Sequence, residues 1–291
     1  MEFVDVKNDV AFRKIFGNNN KKIILISFLN AVLRLEGDKR IKSVILANPF
    51  QLPILPNMKT SIIDVKATDF MGNTYIVEMQ VADIIGMDKR LLYYTSKEYS
   101  QQIVSGEQYT ELNPVIFIGI FDFKFTEGSD YFSHHAICNV VTQERIIKDM
   151  DFYFIELPKF VKKAATLDNV TDKWIYFIKE AENLNVVPEN IDDEGLKEAY
   201  VDANKNTWSK AELDSYNYAG MREQDARGRL QKAEQRGEQR GEVKGAENTM
   251  KDIILKNWQK GKTVEEIADF VELPLENIQK VITAYEQNLT K

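Results

Sequence analysis

Apolar side chains recur at three- and four-residue steps from Val10 through Phe12, Ile15 and Phe16, and again from Ile23 to Leu33. The spacing predicts two amphipathic helices separated by the Gly17-Asn18-Asn19-Asn20 break. Asp9 stands where an N-cap or first-turn acid belongs. Residues 41–50 (IKSVILANPF) have strand character, and a loop bounded by Pro53 and Pro56 follows. Two alternating runs, 60–68 and 74–81, flank Asp69-Phe70-Met71-Gly72-Asn73, whose Asp, Gly and Asn are turn residues; this is the pattern of a hairpin. Residues 87–105 have helical spacing and stop at Gly106. The continuous apolar run 114–121 (PVIFIGIF) reads as a strand covered on both faces. Further strands are expected over 131–140 and 151–157.

This order of helices and strands predicts an α/β domain with a mixed sheet over residues 1–160, followed by an all-helical C-terminal region. A helical region over 161–232 contains clear patterns at 171–184 and 193–206. Residues 233–248 carry the echo EQRG, EQRG, EVKG, which stacks like charges at four-residue spacing and brings three glycines costing about 1 kcal/mol each in a helix. That segment reads as a solvated linker or as an assembly segment. Residues 249–291 end in a helical hairpin, capped by Thr263 and Glu266, with Ile267, Ala268, Val271, Leu275 and Ile278 as its expected core. Its spacing is that of a helix-turn-helix, but Lys280 is the one cation of the second helix, so a protein-binding hairpin fits as well as a DNA reader.

Composition narrows the classes. With 44% apolar and 11% aromatic residues in 291, the chain can form an ordinary core. It carries no apolar run near the roughly 20 residues of a membrane span and no signal-like N-terminus, so a cytoplasmic protein is expected. One cysteine and two histidines exclude the common zinc sites, leaving carboxylates to hold any metal. The net charge is −7. Between Lys7 and Lys42, however, Lys7, Arg13, Lys14, Lys21, Lys22, Arg34, Lys39, Arg40 and Lys42 face only Asp9, Glu36 and Asp38. A local basic surface of this kind suits a phosphate backbone, and equally an ordinary helix surface.

The candidate chemistry lies in the hairpin. Alternation puts Asp64 and Lys66 on one side of its first strand, and Ile76, Glu78 and Gln80 on one side of its second, with Ile63, Val65, Val77, Met79 and Val81 opposite. Two acids on neighbouring apolar strands either bind a divalent cation or face solvent.

The segments KNDVAFRKIFG (7–17), IIDVKATDFMGNTYIVEMQ (62–80), RLLYYTSKEYSQQIVSGEQY (90–109) and NPVIFIGIFDF (113–123) together resemble the PD-(D/E)XK nuclease family transposases, also called recombination-promoting nucleases. The resemblance implies a restriction-endonuclease-like fold and a metal-dependent DNA endonuclease linked to recombination, mobile elements or defence against foreign DNA. Asp64 and Glu78 would bind Mg²⁺, or Mn²⁺ in its place, with the Met79 carbonyl completing the shell. Gln80 would occupy the position of the usual lysine, where an amide can orient a water but cannot serve as a base. Asp9 matches an N-terminal acid of the family and is either an additional ligand or a helix cap. Lys66 is either a replacement cation or a surface lysine. Lys14, Arg90 and Tyr94 are expected to hold the DNA backbone, and a homodimer would suit double-strand cleavage. The alternative is a nuclease-fold protein that binds DNA or a protein partner without cutting.

Overall fold

The computed structural model describes residues 1–48, 50–51 and 61–289. The expected loop around Pro53 and Pro56 lies outside them. Two compact units divide the chain, Met1–Arg222 and Glu223–Lys291.

The first unit opens with α1 (Asp9–Phe16) and α2 (Lys22–Val32). Asn8 is the cap of α1, its Oδ1 accepting from the Val10 and Ala11 amides at 3.0 and 3.4 Å, which leaves Asp9 as a first-turn acid. The strands are β1 (Val44–Leu46), β2 (Phe50–Gln51), β3 (Ser61–Ile62), β4 (Val65–Asp69) and β5 (Thr74–Gln80). Then come α3 (Met87–Ser100), β6 (Val115–Phe121), β7 (Phe132–Ala136) and β8 (Met150–Glu156), followed by α4 (Val170–Glu180) and α5 (Glu194–Ala203).

Six strands form a mixed sheet in the order β1-β4-β5-β6-β8-β7, with β5, β6 and β8 parallel and the remaining pairs antiparallel. β2 and β3 pair separately. The expected hairpin is β4–β5, and Asp69 fixes its turn: Oδ1 accepts from the Met71 and Asn73 amides, and Oδ2 from the Tyr75 hydroxyl at 2.8 Å. Gly72 turns the chain at φ +88°, where a Cβ would also strike the Asn113 side chain.

Pleating gives the sheet two unlike faces. Val65, Ala67, Tyr75, Val77, Met79, Ile118, Ile120 and Ile155 join the larger core with α1, α2, α4 and α5, where Phe16, Phe28 and Trp174 meet edge to face or tilted. Ile76, Phe117, Phe121 and Phe154 form a smaller core with Met87 and Leu91 of α3. A bend at Asp64 interrupts the first hairpin strand. Ile63 therefore packs with the α3 cluster, not with Val65 and Val77 as simple alternation predicts.

The compact unit also extends beyond residue 160. Trp174, Phe177, Leu196 and Tyr200 are buried in the same core as Phe12 and Phe28. Trp174 Nε1 donates to Ser27 Oγ at 3.1 Å, and the Val4 amide donates to the Ala203 carbonyl. The apolar stripes of α4 and α5, legible in sequence, find their partners in α1 and α2, which are far away in the chain.

α6 (Lys210–Gln259) runs through the EQRG echo. Its Glu, Gln, Arg, Lys and Ala are strong helix formers that offset the three glycines, so the segment expected as a linker or an assembly segment is helical. α7 (Val264–Val271) and α8 (Leu275–Leu289) follow. In the second unit Ile254, Ile267, Ala268, Ile278 and Ile282 are buried together, and the Thr263–Glu266 capping box forms at 3.2 and 2.9 Å. Leu275, expected in that core, is exposed at the start of α8. Among the described residues no helix is long and apolar enough to cross a membrane.

Candidate active site

Asp64 and Glu78 meet as cross-strand neighbours where β4 begins and β5 ends. The register Val65↔Val77 carries the ladder one step further to this pair, and the Asp64 amide donates to Glu78 Oε1 at 3.2 Å. The Met79 amide donates to Asp64 Oδ2 at 2.9 Å, and Gln80 Nε2 donates to Glu78 Oε2 at 2.9 Å. In a strand the N–H and C=O of one residue point to the same edge. The Met79 carbonyl thus shares the edge of the Asp64 carboxylate, whereas the Gln80 carbonyl accepts from the Asp122 amide on the other side.

Glu78 is 2% exposed, and on β6 its neighbour is Gly119. A Cβ there would lie 2.6 Å from the Phe121 ring, so the missing side chain lets Phe117 and Phe121 close over this part of the sheet. Burial, reinforced by the Asp64 carboxylate, pushes the Glu78 carboxyl up to about 8, against the opposing charge of Arg90. Burial also raises Asp64 despite the hydrogen bonds from Met79 and Arg13. Neither Arg13 nor Arg90 outweighs the burial of the two acids, and that imbalance is a reason for a further cation to bind there.

Cations approach from both layers. From α1, Arg13 Nη2 lies 2.9 Å from Asp64 Oδ1 and 2.8 Å from Asp9. From α3, Arg90 donates through Nε to the Tyr94 hydroxyl at 2.8 Å, its guanidinium 5.2 Å from the centre of that ring. Gly86, at φ +83°, starts α3 from a left-handed conformation suited to glycine. Arg90 and Tyr94 also line an open groove of about 770 Å³ with Ile84, Ile85, Lys89 and Tyr93.

The other expected site residues lie as follows. Lys66 pairs with Glu98 of α3 at 2.5 Å, and both side chains are largely buried. Lys14 pairs with Glu212 at the start of α6 and sits over the Trp208 ring. Asp9 is 56% exposed and reaches the acid pair through Arg13. Sequence reasoning counted Arg13 only as one cation of a basic stretch. The available signal was its position four residues after Asp9 in the helix.

The two carboxylates and the Met79 carbonyl offer only oxygen donors, which suits a hard divalent cation. Among the described residues no three His, Cys, Asp or Glu side chains converge into a cage. A cation here would therefore rely on this pair, the backbone and water, in the manner of Mg²⁺. The residues present fit such an ion.

The sequence model described as PD-(D/E)XK nuclease family transposase matches residues 6–233. The match runs well past residue 160, through α4 and α5 and into α6. No curated protein and no solved structure matches the chain.

Proposed function

Because the chain belongs to the PD-(D/E)XK nuclease family transposases, whose fold is restriction-endonuclease-like, we propose that it is a Mg²⁺-dependent DNA endonuclease acting on recombination or mobile-element substrates or on foreign DNA. The observation that carries this reading is the buried contact between Asp64 and Glu78 at the end of the hairpin. Asp64, Glu78 and the Met79 carbonyl are the ligands, and Mn²⁺ substitutes for Mg²⁺. When bound, the cation polarises the scissile phosphate and makes water a stronger nucleophile.

The protein's own groups do the rest. Gln80 spends its amide N–H on Glu78, which leaves its carbonyl oxygen to accept from and orient the attacking water. It cannot take up the proton. Arg90, steadied by Tyr94, provides a backbone-binding cation beside the groove, and the Tyr93 and Tyr94 rings offer stacking surface. Lys66 is committed to Glu98 and ties α3 to β4. Lys14 anchors the first turn of α6. Double-strand cleavage by this single site would take a homodimer.

The test is relaxation of supercoiled plasmid in Mg²⁺, Mn²⁺ or EDTA by the wild type, Asp64→Ala and Glu78→Ala. Nicking that needs metal and disappears in both folded variants supports the reading. A wild type that binds DNA without cutting supports the second reading, a nuclease-fold binding protein, which Gln80 in the lysine position favours. Nicking that survives both substitutions places the chemistry elsewhere.

A further inference from the structure

We propose that Arg13 is an exchangeable cation of this site: it occupies Asp64 until a divalent cation takes that carboxylate, and then contacts the DNA phosphate. The inference deepens the endonuclease reading and rests on it.

The geometry of Asp64 leads there. Of its two carboxylate oxygens, Oδ2 is held by the Met79 amide, a bond fixed by the strand. Oδ1, the oxygen a cation can contest, accepts from Arg13 Nη2 at 2.9 Å and Nε at 3.3 Å. A guanidinium stays protonated at every relevant pH, so it leaves a buried acid by exchange for another cation and not by losing its proton.

Arg13 is also built to move. Its side chain is 42% exposed, whereas that of Asp64 is 10% exposed. Asp9, one helical turn earlier, contacts the same Nη2 at 2.8 Å. The guanidinium can thus release Asp64 while keeping Asp9, remaining beside the site without blocking it. From that seat its planar fork suits a phosphate, which it can grip through two parallel N–H···O bonds. Arg90 differs, since its Nε is bonded to the Tyr94 hydroxyl. The site then has one fixed arginine and one exchangeable arginine.

Two measurements on the full chain test this. The first is calorimetric titration with Mn²⁺ at one fixed pH on wild type, Arg13→Gln, Arg13→Lys and Asp64→Asn. The second is binding of a fluorescein-labelled duplex in Ca²⁺ and in EDTA, with thermal melts confirming that each variant is folded.

Removing the competing charge should tighten Mn²⁺ binding about tenfold in Arg13→Gln, while Arg13→Lys stays near wild type. The gain in DNA affinity that Ca²⁺ gives the wild type should shrink at least about fivefold in Arg13→Gln. Equal or weaker Mn²⁺ binding by Arg13→Gln, with Asp64→Asn binding none, overturns the exchange and leaves the metal site standing. Tighter Mn²⁺ binding with an undiminished Ca²⁺ effect on DNA overturns the phosphate role. No saturable Mn²⁺ binding by wild type or Arg13→Gln overturns this inference together with the metal-dependent reading.

Discussion

Tyr75, Val77 and Met79 point to one face of β5, while Ile76, Glu78 and Gln80 point to the other, and the two faces serve opposite ends. The first is packed by four helices around Phe16, Phe28 and Trp174. The second is covered by α3 and, at its end, holds two acids whose burial works against their charge. One face supplies stability; the other holds buried acids whose charge a bound cation would relieve. A period-two strand can do both because a single step along it crosses from one environment to the other.

The sharpest way to break this comparison is to damage the packed face. Phe28 is fully buried against Phe16 and Trp174, so Phe28→Ala should lower unfolding free energy by about 3–5 kcal/mol, as read by urea denaturation. A loss below about 1 kcal/mol would mean that the aromatic cluster is not where stability resides.

The acid face should respond in the opposite direction. Burial beside Asp64 pushes the Glu78 carboxyl up from 4.5 to about 8, so between those values the folded chain holds a proton that the unfolded chain has released. In EDTA, stability should therefore fall as pH rises between those values. Glu78→Gln should flatten that slope and stabilise the protein at pH 8 by on the order of 2 kcal/mol. Urea denaturation at pH 5 and pH 8 reads both, and a wild type that gains stability over this interval would refute the sign.

Gln80 tests whether that face is divided further, into holding and orienting. Gln80→Ala should slow plasmid nicking about tenfold while Mn²⁺ affinity changes by less than about threefold. A parallel collapse of both would make Gln80 part of the cation shell. The smallest effect is expected at Lys14, which pairs with Glu212 away from the acids. Lys14→Ala should leave duplex affinity unchanged and reduce stability by no more than about 1 kcal/mol, because the pair is partly exposed.

Most elements of the first unit were legible in the sequence because they rest on local periodicity and turn residues. The Gly17–Asn20 break, the Asp69–Asn73 turn and the Thr263 capping box all form where the pattern predicts. Asp64, Glu78 and Gln80 are adjacent in the structure because one hairpin register unites them, which alternation can reveal. Arg13 was not legible as a site residue, since its place beside Asp64 depends on how α1 packs against the sheet. The partners of Lys14 and Lys66 lie on α6 and α3, and no local pattern names them. The continuation of the first core to α5 was hidden for the same reason: an apolar stripe shows that a helix is buried, not against which helix. At residues 233–248 local signals conflicted, and helix propensity prevailed over the glycines and like-charge rows.

The measurement closest to the central claim is the unfolding midpoint at pH 8 in EDTA and in Mn²⁺, for wild type and Glu78→Gln. A cation that binds only the folded acid pair must stabilise it by mass action. The account predicts that Mn²⁺ raises the midpoint of the wild type and leaves that of Glu78→Gln unmoved. An equal rise in both proteins, or none in the wild type, would contradict it.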